Sequence, residues 1–195
     1  VGKFGNPVQA VLKKLPSLEV NTICPLHGPV LTENLSYYID LYNTWSSYKA
    51  ESEGIFIAYT SVYGNTKKAV KEFAQLLKNK GFPKVKIADL AREDMAECVE
   101  DAFRYEKLVL ATTTYTNDIF PFMKEFIHHL VDRDYQNRTI GLIGNGSWNP
   151  VANKIMASMF EKSKNIKILE NQVIIKTALN KDSKAALEKL AEELI

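Results

Sequence analysis

From residue 54 to its end the chain alternates strands with helices, which predicts an α/β fold: a five-stranded parallel sheet with helices on both faces. Three observations carry this. Ile55-Phe56-Ile57-Ala58-Tyr59 and Leu108-Val109-Leu110-Ala111 are apolar throughout, the pattern of strands buried on both faces. Segments with helical periodicity separate the strands, as with Val70, Phe73, Ala74 and Leu77. Right-handed crossovers leave few arrangements, and order 2-1-3-4-5 is the common five-stranded one. An incomplete α+β segment precedes the sheet.

That first segment, residues 1–50, does not look like a complete domain. Phe4, Val8, Val11, Leu12 and Leu15 recur at helical spacing, and Pro16 closes the helix. Val20 to Cys24 reads as a short strand, followed by the rigid turn Pro25-Leu26-His27-Gly28-Pro29. A second helix, capped by Thr32, carries Leu35, Ile39, Tyr42 and Trp45 on one face. Trp45 to Glu53 is polar and short and reads as a linker. The opening Val1-Gly2-Lys3 has no Met, so the expectation is a piece of something longer: a domain remnant over 1–50, then a second unit over 51–195.

In that unit, strand 54–60 leads into a helix from Lys67 to Lys80. Val85 to Ala88, short and half polar, suits an edge strand. Met95, Val99, Ala102 and Phe103 mark the next helix. Pro121 sits just inside a helix bearing Met123, Phe126, Ile127 and Leu130. Thr139 to Ile143 is the fourth strand, with a helix around Val151 to Phe160. Val173-Ile174-Ile175 is the fifth, and Leu187, Leu190, Ala191 and Leu194 mark the last helix.

Composition excludes several function classes. With 195 residues, 46% hydrophobic, and a net charge of +2, nothing global argues for nucleic acid or an anionic membrane. No stretch is long enough to span a bilayer, and the start is not a signal peptide. Cys24 and Cys98 are far apart and in no metal-like spacing. Such cysteine poverty fits a reducing, cytoplasmic location.

Three loops share the carboxyl edge of the expected sheet. Thr60-Ser61-Val62-Tyr63-Gly64-Asn65-Thr66 joins the first strand to a helix, aiming hydroxyls, backbone N–H groups and the positive helix end at one volume. It lacks the Gly-Lys-Thr ending of a triphosphate loop and the three-glycine dinucleotide fingerprint, so it suits a single phosphate. After the third strand come Thr112, Thr113, Thr114, Tyr115, Thr116, Asn117 and Asp118. After the fourth come Gly144, Asn145, Gly146, Ser147, Trp148, Asn149 and Pro150. A phosphate seat beside aromatic Tyr115 and Trp148 suits a cofactor with a phosphate tail and a planar ring.

Together these loops resemble the flavodoxin family. Thr60 to Thr66 resembles its FMN phosphate loop, Thr113 to Asp118 its second loop, and Gly146-Ser147-Trp148 its third, flanking the flavin ring. Flavodoxins also exemplify the rule that places ligands at the sheet's switch point, so that placement is not independent of the resemblance. The spelling Thr-Tyr-Thr-Asn-Asp-Ile-Phe-Pro, ending at Pro121, is similar to one branch, the flavodiiron proteins. There a metallo-β-lactamase-like diiron domain precedes a flavodoxin-like domain. Cys24-Pro25-Leu26-His27-Gly28-Pro29 resembles the end of the diiron domain, where a His before Gly is the last iron ligand.

The resemblance implies an FMN-binding electron-transfer domain fed by a donor such as rubredoxin. It would deliver electrons to a diiron site that reduces O₂ or nitric oxide, with a head-to-tail dimer bringing flavin and iron together. The His-x-Glu-x-Asp-His cluster of the family is absent, and one imidazole cannot hold an iron pair, so His27 is a leftover ligand. His128 and His129 are expected as partly exposed helix residues. Asp118 and the 116–118 backbone are expected to tune the flavin, against Asp118 as a plain helix cap. One competing reading is a stand-alone FMN-dependent quinone or azo reductase. A receiver-like module is another, but Tyr59, Thr60, Ala111 and Thr112 stand where that module needs acids.

Overall fold

A computed structural model describes residues 1–82 and 84–195. Strand β1 (Ser52–Tyr59) and strand β3 (Tyr105–Tyr115) lie side by side and parallel, in register Ile57 to Val109 and Tyr59 to Ala111. Their apolar runs are fully covered because helices pack on both faces. Helices α3 (Asn65–Asn79) and α7 (Lys181–Leu194) bury Phe73, Leu77, Leu187 and Leu190 on one face. On the other, α4 (Met95–Arg104), α5 (Pro121–Val131) and α6 (Ala152–Met159) bury Val99, Phe126, Ile127 and Met156. Each such side chain contributes roughly 1.5–3 kcal/mol by leaving water. Pro121 opens α5, where its missing N–H needs no partner.

The sheet runs β2 (Val85–Asp89), β1, β3, β5 (Arg138–Asn145), β6 (Ile166–Ile168), so the expected order holds with β2 at the rim. The fifth position differs from the expected single strand. It is filled end to end by β6, along Arg138–Ile140, and β7 (Val173–Ile175), along Ile143–Asn145. The break arises where Leu169 turns into the core. The N–H groups of Glu170 and Asn171 leave the ladder there and donate to the Glu193 carboxylate of α7, at 2.9 and 2.8 Å. A further two-residue strand, β4 (Asp118–Ile119), folds back on β3 as a hairpin.

The first segment forms α1 (Gly5–Leu12), a 3₁₀ turn at Leu15–Ser17 and α2 (Leu35–Ser46). Val20 to Cys24 makes no strand, because only Ile23 finds a partner, in a lone bridge to Leu31. Thr32 is not the cap of α2. Asn34 occupies that place with a left-handed φ of 53° and no side-chain cap bond. Among the described residues no hydrophobic side chain before Ile55 is buried. A 620 Å³ apolar groove lies open between α1, α2 and the turn at His27. The segment is nonetheless held to the sheet. Buried Arg138 donates to the carbonyls of Tyr48 (2.7 Å), Phe103 (2.7 Å) and Tyr105 (3.1 Å), so Ser47 to Glu51 is a fastened connection.

Candidate functional site at the carboxyl edge of the sheet

The turn after β1 is pinned at both ends and open between them. Thr60 N–H donates to Ala111 carbonyl at 2.9 Å, and its buried hydroxyl lies 2.6 Å from that of Thr112. Those two hydroxyls are therefore committed to joining β1 and β3. At the other end Lys67 N–H donates to Ser61 Oγ (3.2 Å), and Lys68 N–H to Gly64 carbonyl (2.9 Å). Gly64 stands at φ 84°, a left-handed position that glycine adopts without strain.

Between these ends, the backbone N–H groups of residues 61 to 66 have no protein acceptor among the described residues. No acid lies in the first turn of α3, and Lys67 and Lys68 do. The positive helix end thus carries two further cations and nothing of opposite sign. An anion is what such an arrangement accepts.

The second loop is a hairpin. Thr116 and Asn117 have φ of 52° and 57°, the left-handed pair a two-residue hairpin turn requires. This places Tyr115 opposite Asp118 and Thr114 opposite Ile119. Tyr115 is half exposed and packs edge-on against Phe120, ring centroids 5.4 Å apart. The Asp118 carboxylate does not cap α5. It accepts from Ile119 N–H at 2.8 Å and pairs with Lys124 Nζ at 2.5 Å, and the bond from Lys124 holds it below the usual carboxylate range. Thr113 donates to Thr114 carbonyl (3.3 Å).

The third loop packs on the second. Thr114 Oγ1 accepts from Ala152 N–H (3.3 Å), and a Cβ on Gly146 would come within 3.0 Å of that hydroxyl. Glycine at 146 is what lets the two loops close up. Gly146 N–H donates to Ile175 carbonyl (2.9 Å). Ser147 is exposed, and Trp148 is 97% exposed, as is Tyr63 at 93%. Trp148 is therefore no lid on its own domain. Together with Tyr115 these rings give the edge uncovered apolar surface.

Asn145 faces inward, linking Thr66 and Thr177 rather than presenting its amide to solvent. The structure thus joins the three loops into one edge, with Thr60 and Asn145 turned into the scaffold. Sequence reasoning missed Lys124 and Thr177, and it missed the tie between Thr112 and Thr60. Lys124 lies six residues from Asp118, and no helical spacing flags that pair. His27 is far along the chain, exposed in its turn and lining the apolar groove. Among the described residues no three His, Cys, Asp or Glu side chains group as metal ligands. His128 and His129 border a 620 Å³ hollow that Tyr115, Thr116 and Asp118 of the hairpin also line.

A model of the flavodoxin domain family matches residues 56–177, which spans all three loops. The chain belongs to the flavodoxin domain family. Its wider similarity follows the flavodiiron branch. An anaerobic nitric oxide reductase flavorubredoxin of Enterobacter is 25% identical over 158 residues, covering 77% of this chain and 32% of that protein. The rubredoxin:oxygen oxidoreductase of Desulfovibrio gigas shares the fold over 99% of this chain and 48% of its own, with TM-score 0.89 and 17% identity. The flavodiiron protein of Giardia intestinalis does so over 99% and 49%, with TM-score 0.88 and 14% identity. The chain spans well under half the length of the curated relatives it matches and about half of these solved chains. The fold likeness reaches beyond the flavodoxin domain into residues 1–55. No helix among the described residues is long and apolar enough to cross a membrane.

Proposed function

We propose that this chain binds FMN at the carboxyl edge of β1, β3 and β5 and serves as the electron-transfer domain of a flavodiiron O₂ or nitric oxide reductase. The observation that carries the reading is the run of unpaired N–H groups from 61 to 66 at an amino end of α3 that has no acid of its own. A phosphate monoester fits it. Ser61, Asn65 and Thr66 line the seat with those amides, and Val62, Tyr63 and Gly64 shape it. Tyr115 and Trp148 flank the flavin ring, Thr116 to Asp118 meet its polar edge, and Thr113, Thr114, Gly146 and Ser147 form the wall between. Bound FMN supplies the redox chemistry, so no side chain need act as acid, base or nucleophile.

The electron donor in this reading is a small redox protein such as rubredoxin, and the acceptor is a diiron site. Residues 1–50 are read as the end of a metallo-β-lactamase-like domain and 51–195 as the FMN domain. His27 would be one ligand of that iron pair. The open apolar groove beside His27 supports a segment that does not complete a core by itself. A head-to-tail dimer and a cytoplasmic location complete the reading.

Purified protein should be yellow, with a flavin absorption spectrum, and should release FMN on denaturation. Colourless protein that cannot be reconstituted with FMN overturns the proposal. Metal analysis of these 195 residues should find no stoichiometric iron pair.

A further inference from the structure

The strongest feature that the FMN reading does not absorb is the side chain of Asn145. This last residue of β5 is 6% exposed, and its carboxamide is occupied on every side facing the protein. Both Nδ2 hydrogens donate, to Thr177 carbonyl at 3.0 Å and to Thr66 Oγ1 at 3.3 Å. Oδ1 accepts from Thr177 N–H at 3.1 Å. A carboxamide so engaged has one acceptor lone pair left and no donor.

What it holds at one end is a strained turn. Thr177 has φ 72°, in the left-handed region where a β-branched residue is a rarity. Ala178 N–H donates to Lys176 carbonyl at 3.0 Å, which makes Thr177 the centre of a γ-turn of the rare positive-φ kind. Asn145 satisfies both backbone groups of Thr177 at once, which only a group carrying adjacent donor and acceptor can do.

What it holds at the other end is the phosphate turn. Thr66, the second residue of α3, is 2% exposed. Its oxygen accepts from Asn145, so its O–H is left to donate, and no acceptor for it is found among the described residues. Its backbone N–H is also unpaired. Thr66 therefore carries two donors without partners, and Asn145 fixes the orientation of one.

We infer that Asn145 is a positioning residue for the cofactor phosphate: it touches no ligand, but orients the Thr66 hydroxyl and braces it against the Thr177 turn. This rests on the FMN reading above. Asn145 thereby moves from a cofactor contact to the support behind one.

The test compares FMN with riboflavin, which has the same ring and lacks the phosphate. The variants N145A, T66V and N145A/T66V are made in a T177G background, where glycine takes the left-handed φ without strain and loss of the clamp need not unfold the chain. Binding to apoprotein is followed by quenching of flavin fluorescence. N145A should weaken FMN by about 10-fold or more and riboflavin by less than about twofold, the size expected when one hydrogen bond to a charged group is lost. T66V should do the same, and N145A added to T66V should change little, because both act through one hydroxyl. Equal losses for FMN and riboflavin, unchanged FMN affinity in N145A, or additive losses in the double variant would each overturn the inference while leaving the FMN reading standing. A T177G parent that binds FMN no better than riboflavin, with wild type behaving likewise, overturns the phosphate seat and the inference together.

Discussion

Helices α3 and α7 pack on the same face of the sheet, and their amino ends are built in opposite ways. At α7, Ser183 N–H donates to Asn180 Oδ1 (2.9 Å) and Asn180 N–H to Ser183 Oγ (2.8 Å), a reciprocal cap, with Asp182 in the first turn. At α4, Asp94 likewise accepts from Ala96 and Glu97 N–H. At α3 the cap residue is Gly64, no acid follows, and two lysines stand where the helix dipole is already positive. At α4 and α7 this chain supplies the acceptors itself, whereas α1, α2, α5 and α6, like α3, have no side-chain cap bond. What sets α3 apart is that its uncapped end opens from the glycine turn after β1 and carries two lysines, so in the proposed complex an anion supplies the acceptors.

Giving α3 an acceptor of its own should separate stability from binding. N65D places a carboxylate among the free N–H groups. It should stabilise the apoprotein by about 0.3–1 kcal/mol through the helix end. The same substitution should weaken FMN by about 100-fold, roughly 2.8 kcal/mol, because the carboxylate takes the phosphate's place and repels it. Thermal unfolding of apoprotein and FMN titration read the two effects separately. Loss of both stability and affinity would break the comparison.

The open end of α3 is partly legible in the sequence. Its hydroxyls, Gly64 and the apolar run before it mark a buried strand feeding a loop and a helix. The two apolar runs reported the central strands for the same reason: burial on both faces leaves no polar alternation. What could not be read depends on partners far along the chain. Thr60 meets Thr112 across 52 positions, and Asn145 meets Thr66 across 79 and Thr177 across 32. Hydroxyl and amide residues in a loop look alike in sequence whether they face ligand or scaffold. The split fifth strand needs Glu193 of α7 to receive two amides, which no local pattern signals. The hairpin is different, since Asn117 is a residue type that tolerates left-handed φ and could have marked it.

Two smaller substitutions sharpen the contrast. A Cβ at Gly64 would touch nothing within 4 Å, so G64A tests backbone strain alone. It should destabilise the protein by about 1–2 kcal/mol, measured by denaturant unfolding, the expected penalty for alanine at positive φ. At α7 the effect should be confined to stability: N180A should lose about 1 kcal/mol with FMN affinity unchanged. A fall in affinity for N180A would mean the two helix ends are not separate in role.

The smallest effect concerns the one acid among the candidate residues. Asp118 cannot serve α3 as an internal acceptor while it is paired with Lys124 and with Ile119 N–H. Its folded-state pKa is lowered, first by the bond from Lys124. A lowered carboxylate contributes stability above its unfolded pKa and loses it as pH falls through the folded value. Wild-type protein should therefore shed a small increment below the ordinary carboxylate range, around pH 4 and under, that D118N does not shed. Both partners are more than a third exposed, at 38% and 45%, so screening reduces the increment to a few tenths of a kcal/mol, about 0.2–0.5. In the proposed FMN complex the same substitution removes a charge from the hairpin assigned to the ring's polar edge and should shift the flavin potentials. A redox titration of D118N that matches wild type would assign Asp118 to holding the hairpin and remove it from the groups that act on the cofactor.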